Sequence, residues 1–479
     1  MAAPRKPQEL HPIRIPFIGV PLSRDTTTKD QRYVNVLIET LKNPITDNKR
    51  TFIIKRPGLA ASTQPPAASK TGRGVYHWSK NGNIYSVFHD KIYSGTTDLG
   101  VTLAGTSGKC WFAQTAETSS ITRLAVSDGT KLYLIDSADS VTTVSTASDA
   151  QFPTANLGPV IFFNNYFYFG KSNGELWNSD ADGFTSYVST SFQSSEMFPD
   201  DLEAIARQKD QFIALGKFST EFYYDNANPV GSPLQRIDQN ALQIGLVTKN
   251  SLCQAEDVIV WCSAARDGGY TIWRLDDLNK LNKISTEPLD RLLDAEGSSI
   301  SSCTSFMFRA FGHLVYGINL SSANRTLMYD TEENMWFEWA DTAGNKFNCS
   351  DATEKNGTVY LQDASNGRIY TLSASTFRDN GVDFTVTLQT SAYDFDISDR
   401  KFQPVLDVYG DSTTGNLAVS VSDNDYSSFI TARNIDMSAM YKRLTRLGSF
   451  FKRAFKFTYT DNYALRLEGF QVKIKMGLH

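Results

Sequence analysis

A hairpin that recurs at near-constant spacing constrains this chain more than any other feature. Each copy reads as an apolar strand, a polar turn of Gly, Asn, Asp or Ser, and a strand carrying an aromatic beside Leu or Ile. Copies occupy Ile84–Tyr93, Leu124–Ile135, Tyr166–Trp177, Phe212–Tyr224, Val258–Trp273, Leu314–Tyr329 and Val359–Tyr370. Four of the turns are Ser127-Asp128-Gly129, Ser172-Asn173-Gly174, Asp267-Gly268-Gly269 and Ser365-Asn366-Gly367. Start to start, the copies lie 40, 42, 46, 46, 56 and 45 residues apart. A period of about 40–50 residues built from turn-rich hairpins is the mark of a β-propeller, with one four-stranded blade per period. A lone blade cannot bury both faces, so neighbours must stack and the circle must close. The expectation is an all-β fold, a propeller of six or seven blades over residues 69–375. The rival is two β-sandwiches in series.

Composition agrees with an ordinary globular chain. Of 479 residues, 41% are hydrophobic and 21% charged, with a formal net charge of −5. That excludes intrinsic disorder and a surface basic throughout, as a nucleic-acid coat would need. No apolar run approaches the ~18 residues needed to span a bilayer. The polar start, Met1 to Pro12, offers no hydrophobic secretion signal, which predicts a soluble chain not exported by that route. Cys110, Cys253, Cys262, Cys303 and Cys349 are odd in number and never closely paired. They read as buried free thiols in a reducing compartment, not as a disulfide framework or zinc site.

Aromatics reach 12%, and helical patterns are scarce. The best helix is Thr286–Asp294, with Thr286 as cap, Pro288 in the first turn and Leu289, Leu292 and Leu293 on one face. Asp200–Asp210 is a second candidate. Both flanks depart from the repeat. Residues 1–68 are proline-rich, and residues 376–479 hold non-periodic strands at Phe384–Leu388, Pro404–Val408, Leu417–Val421, Arg453–Tyr459 and Ala464–Lys475. The last strand alternates well apart from one slip at Glu468-Gly469, the pattern of a bulge. We expect the C-terminal segment to form a sandwich, and the two flanks to share a β-rich platform.

Sequence motifs for catalysis fail on context. Gly170-Lys171-Ser172-Asn173-Gly174 matches a nucleophile elbow, but a strand follows where a helix is required. Asn178, Asp180 and Asp182 begin an EF-hand-like loop whose twelfth position is Ser189, so the bidentate carboxylate is missing. Gly105-Thr106-Ser107-Gly108-Lys109 is two residues too short for a phosphate loop. His11, His77, His89, His313 and His479 lack metal-ligand spacing, and Asp225, Asp276 and Asp330 read as strand-end turn caps. No enzyme activity, cofactor or metal is expected.

One end of the chain does carry a signal. Arg433 to His479 contains ten Lys and Arg against three acids, interleaved with aromatics, so the remainder carries −12. Lys442, Arg443, Arg446, Lys452, Arg453 and Lys456 are the candidate interface, facing either DNA phosphates or an acidic partner surface. A solvated strand face is the plain alternative.

Several stretches resemble one family. Gln31-Arg32-Tyr33-Val34-Asn35-Val36, after a Gly19-Val20-Pro21 loop, is similar to an N-terminal "Q-R-x-V-N-x" strand of the tail hub, or packaged-DNA-stabilising, proteins of short-tailed bacteriophages. Arg56-Pro57-Gly58-Leu59 resembles the "P-G-L" closing that segment, and Phe212–Tyr224 its "F-G-x-S-T-E-x-Y" blade. Gln243-Ile244-Gly245-Leu246 falls at a similar Gly-containing turn. Lys442-Arg443-Leu444-Thr445-Arg446-Leu447-Gly448 resembles the C-terminal "K-R-x-x-R-x-G" element, although Met440-Tyr441 stands where the family has tryptophan.

The resemblance implies a non-enzymatic virion protein, assembled in bacterial cytoplasm. It implies a homohexameric nozzle ring below the portal-adaptor that extends the channel for duplex DNA and retains the packaged genome. Tail needle or plug and tailspike or fibre proteins would be partners, with no membrane insertion. A carbohydrate-binding or carbohydrate-cleaving propeller is the alternative function.

Overall fold

The computed structural model describes residues 11–17, 31–42 and 49–476, apart from 67, 196, 199, 229, 267 and 277–279. The Gly19-Val20-Pro21 loop, Asp267 and His479 lie outside these. The chain forms two compact units: residues 1–60, 325–347 and 373–479 make one, and 61–324 with 348–372 make the other.

The second unit holds the propeller. Its hairpins sit in antiparallel four-stranded sheets, in chain order, over residues 72–102, 111–144, 156–194, 202–236 and 253–283. The pair Thr304–Ala310 and His313–Leu320, and the run Cys349–Lys355, Thr358–Asp363, Ile369–Ser373, carry the rest of the repeat. The strands are buried on both faces, and alternate residues enter the spaces on either side, between consecutive copies. Tyr85, Val87 and Ile92 pack with Leu124, Val126 and Tyr133. Leu132 and Leu134 then pack with Phe167 and Phe169. Tyr168 and Leu176 meet Phe212 and Tyr223, and Ile213 and Phe222 meet Trp261 and Leu275. Finally Ile369, from the last repeat, packs against Val75, Phe88 and Tyr93 of the first. That contact closes the circle, and it excludes sandwiches in series.

One reading is corrected here. Asp200–Asp210 is not a helix but the strand Leu202–Gln208 and its turn, with Lys209 at φ 49 leading back into Gln211–Gly216. A bulge between Leu202 and Ala204 puts Leu202 with Ile205 in one core and Ala204 with Ala206 in the next, and both faces of this strand are largely covered, which blurs the pattern. Arg325–Asp330 follows His313–Leu320 in one sheet, so the hairpin read over Leu314–Tyr329 forms, with Met335–Trp339 beside it. The helix over Glu287–Glu296 forms with proline in its first turn.

The first unit is a sandwich built from both ends of the chain. One sheet runs Val36–Lys42, Lys49–Lys55, Arg466–Met476, Lys401–Gly410, Arg443–Thr445, with His11–Pro16 also on Arg466–Met476. The other includes Arg325–Asp330, Met335–Trp339, Arg32–Val34, Val386–Gln389, Ala454–Tyr459, Asn416–Ser422 and Arg433–Asp436. Phe470 of the first sheet meets Phe455 and Phe457 of the second, each at 5.1 Å between ring centres, and Phe17 joins them. The slip at Glu468 is a bulge, because Tyr409 faces Gly469 while Gly410 faces Leu467. Glycine is required there: a Cβ on Gly469 would stand 2.6 Å from the Ile15 carbonyl oxygen.

Candidate interaction surface

The six basic residues proposed as an interface are not all at the surface. Arg453 is 1% exposed, so it is removed from the interface. Its guanidinium donates to both Asp423 oxygens at 2.7 Å, to Gln403 and to the Leu447 carbonyl, and lies 4.3 Å from the Phe450 ring centre. Sequence alone shows only its charge, and four partners brought in by folding convert that charge into an internal tie. Arg443 is exposed but held in a fork by Asp407, which also lies 3.9 Å from Lys473. Lys442 donates to Ser412, and Lys456 lies 5.4 Å from the Phe429 ring centre. Arg446, at φ 58, and Lys452 are exposed.

Lys452 keeps company that the charge pattern did not single out. Its neighbour Phe451 is 60% exposed, with the Arg400 guanidinium 6.0 Å from its ring centre. Phe402, also exposed, lies opposite Ser449 on one side and Lys475 on the other. Two exposed phenylalanines among Arg400, Lys452 and Lys475 make a basic-aromatic edge. A surface pairing apolar anchors with cations is suited to an acidic, apolar protein partner.

The N-terminal motif residues meet inside the same unit. Asn35 is buried at φ 59, and its Oδ1 accepts from Arg56 Nε at 2.9 Å and from the Ala340 amide at 2.8 Å. Its Nδ2 donates to the Thr385 carbonyl. Arg56 is fully buried, donates to both Asp379 oxygens at 2.9 and 2.5 Å, and lies 3.8 Å from the Phe384 ring centre. Gly58 lets the next residues run against Arg378, whose carbonyl oxygen would be 2.2 Å from any Cβ there. Arg32 forks onto Glu338 at 3.0 and 2.8 Å, and Arg325 grips the same carboxylate. Burial pushes the Glu338 carboxyl up, but the two arginines outweigh it and hold the group below the usual glutamate range.

Lys55 is the awkward member of this cluster. Its ammonium is buried beside Phe384 and donates to the Asp461 carbonyl at 2.9 Å. Burial, helped by the adjacent Arg56 charge, pulls its pKa from 10.5 down to about 8. The native state therefore disfavours the charged form, at a cost present below pH 8 and relieved as pH climbs from 8 through the unfolded value. The stability difference between wild type and Lys55→Met should shift across pH 8–10.5 by up to about 3 kcal/mol. Denaturant titrations of both proteins check this, and a pH-independent difference contradicts it.

In the propeller unit, a cavity of about 400 Å³ is lined by Tyr76, Trp111, Ile161, Ile205, Cys253 and Met307, among others from the innermost strands. Lys109 enters it, 3.7 Å from Asp351 and donating to the Ser305 carbonyl at 3.2 Å. The rejected phosphate loop is occupied from behind: Arg73 donates to the carbonyls of Gly105 and Gly108. All five cysteines are buried and unbridged. Gly170–Gly174 is a hairpin turn, closed by Gly174 N–H onto the Lys171 carbonyl. Among the described residues, no group of three or more His, Cys, Asp or Glu is placed to hold a metal, and no helix is long and apolar enough to cross a membrane.

These features define a β-propeller protein with a second β unit made from its two ends. Several solved structures are similar to this chain. The extracellular domain of the putative one component system BT4673 from B. thetaiotaomicron is 10% identical, with TM-score 0.45, over 75% of this chain and 45% of that one. This chain thus spans under half the length of that protein. The WD40 propeller domain of Doa1 is 10% identical, with TM-score 0.40, over 67% and 98% of the two chains. A streptogramin B lyase is 12% identical, with TM-score 0.39, over 67% and 97%. No curated protein sequence matches the chain. The family model "Bacteriophage P22 Gp10, beta-propeller" matches residues 14–377, and the chain belongs to this phage stabilisation family. It is a phage structural protein of the tail-stabilisation type.

Proposed function

We propose that the protein is the hub of a short phage tail. Six-fold rings of it sit beneath the portal-adaptor, continue the DNA channel, retain the packaged genome until ejection, and anchor needle or plug and tailspike or fibre proteins. It works by shape in the virion and catalyses nothing. The observation that carries the reading is the family match, which runs through the N-terminal node and nearly all of the propeller. The construction supports it: a closed ring of β modules is a stiff wall, and the second unit offers a basic-aromatic edge for an acidic neighbour.

Particles made without this protein should package DNA and then lose it, measured as nuclease-sensitive genome in purified heads; stable full heads would count against the proposal. Deleting residues 433–479 is no test of docking, because Ala454–Tyr459 and Arg466–Met476 are interior strands of both sheets of the first unit. Phe451→Ser with Lys452→Glu is the better probe. It should reduce incorporation into tails by at least tenfold while leaving thermal unfolding unchanged, and normal incorporation would remove this edge from the docking surface.

A further inference from the structure

A cleft on the propeller unit has the chemistry of a ligand site. It is open to solvent, about 570 Å³ in volume, and is lined by Asn164, Asn165, Tyr166, Asp225 and Asn228 with two alanines, a size within the range of small-molecule sites. Its polar groups are held in place. Asn164 and Asn165 form the turn between Asn156–Phe163 and Tyr166–Lys171, at φ 45 and 72. Asp225 accepts from Asn164 Nδ2 at 2.9 Å through one oxygen and from the Ala227 amide at 2.7 Å through the other. Asn228 donates to the Ser232 carbonyl and accepts from Asn226.

The strand that carries Tyr166 and the strand beside it also hold buried polar atoms without a partner, outside the lining. Tyr168 is fully buried, two residues along the same strand face from Tyr166, and its hydroxyl makes no hydrogen bond. The Asp225 carboxylate and the Tyr166 phenol lie close enough to reinforce the rise in its pKa that burial causes. Opposite Tyr168 on the next strand is Asn178, 2% exposed, whose Oδ1 is also unsatisfied. A buried hydroxyl and a buried carbonyl left unmet cost stability.

The lining selects the ligand class. No Lys, Arg or His lines the cleft, so anions are repelled by Asp225, and no metal-holding group of three is present among the described residues. A carboxylate with three amides calls for a neutral molecule rich in hydroxyl donors, and the half-buried Tyr166 ring offers a carbon face beside them. We propose that this cleft binds a saccharide, one or two sugar rings seated on Tyr166 with hydroxyls on Asp225, Asn165 and Asn228. The site is independent of the tail assignment.

Saturation-transfer NMR on the full chain with glucose, galactose, mannose and N-acetylglucosamine tests it. At least one sugar should give a saturable signal. Asn165→Gly, which suits φ 72 and removes the amide, and Asp225→Asn should each weaken binding at least tenfold with unchanged thermal unfolding. Three results would overturn the proposal: no sugar binds, binding survives both substitutions, or calcium chloride alone stabilises the chain.

Discussion

Arg56→Ala should unfold the first unit selectively, lowering its stability by about 3–5 kcal/mol. That is the range for removing one partner of a buried ion pair and stranding the other. The substitution leaves Asp379, 11% exposed, without its cation, and takes away one of the two donors on Asn35 Oδ1. It also empties the space against Phe384, where the guanidinium lies 3.8 Å from the ring centre. Arg56→Met keeps most of that packing and should cost less. The double variant Arg56→Ala with Asp379→Ala should cost less than the sum of the singles, since each removes the other's reason for burial. Hydrogen exchange read by segment separates the units: protection should fall in residues 32–60 and 373–476 and persist in 72–320. Uniform loss in both units, or a cost under about 1 kcal/mol, would contradict this role.

Glu338→Ala is expected to cost about 3 kcal/mol by the same reasoning with the sign reversed, because two arginines then face each other with no anion between them. Arg32 and Arg325 both fork onto this carboxylate, and the Glu338 carbonyl accepts from the Asn35 amide. Since the Glu338 pKa is depressed in the folded state, its contribution is complete above the ordinary glutamate range. It is lost as pH falls through the lower, folded value. Glu338→Ala should therefore lose less stability than wild type on acidification. Denaturant midpoints at several acidic pH values measure this, and parallel pH profiles would remove the ion triad from the account.

The wheel was legible because its signal is local and repeated. The period of the hairpins, the Gly-bearing turns and the aromatic second strands all lie within short windows, and Ser172-Asn173-Gly174 folds as read. The second unit was legible only in part, since its pairings are remote in sequence. Val34 pairs in parallel with Glu338, so the strand Met335–Trp339 belongs with the N-terminus, which no local pattern in the hairpin at 314–329 reveals. The basic C-terminal run misled at Arg453 for a related reason. Net charge cannot say which cations fold inward, and Asp423, Gln403 and Leu447 are separated from it in sequence. Lys452 and Arg446 did stay at the surface. The saccharide cleft left no motif because its lining comes from two turns some 60 residues apart, joined by Asn164 and Asp225.

Electron cryo-microscopy of the intact virion tail addresses the central claim most directly. The account predicts a hexameric ring of this chain under the portal-adaptor, its β modules walling the path of the DNA. Finding the chain as a lateral appendage away from that path, or missing from the mature particle, would contradict it.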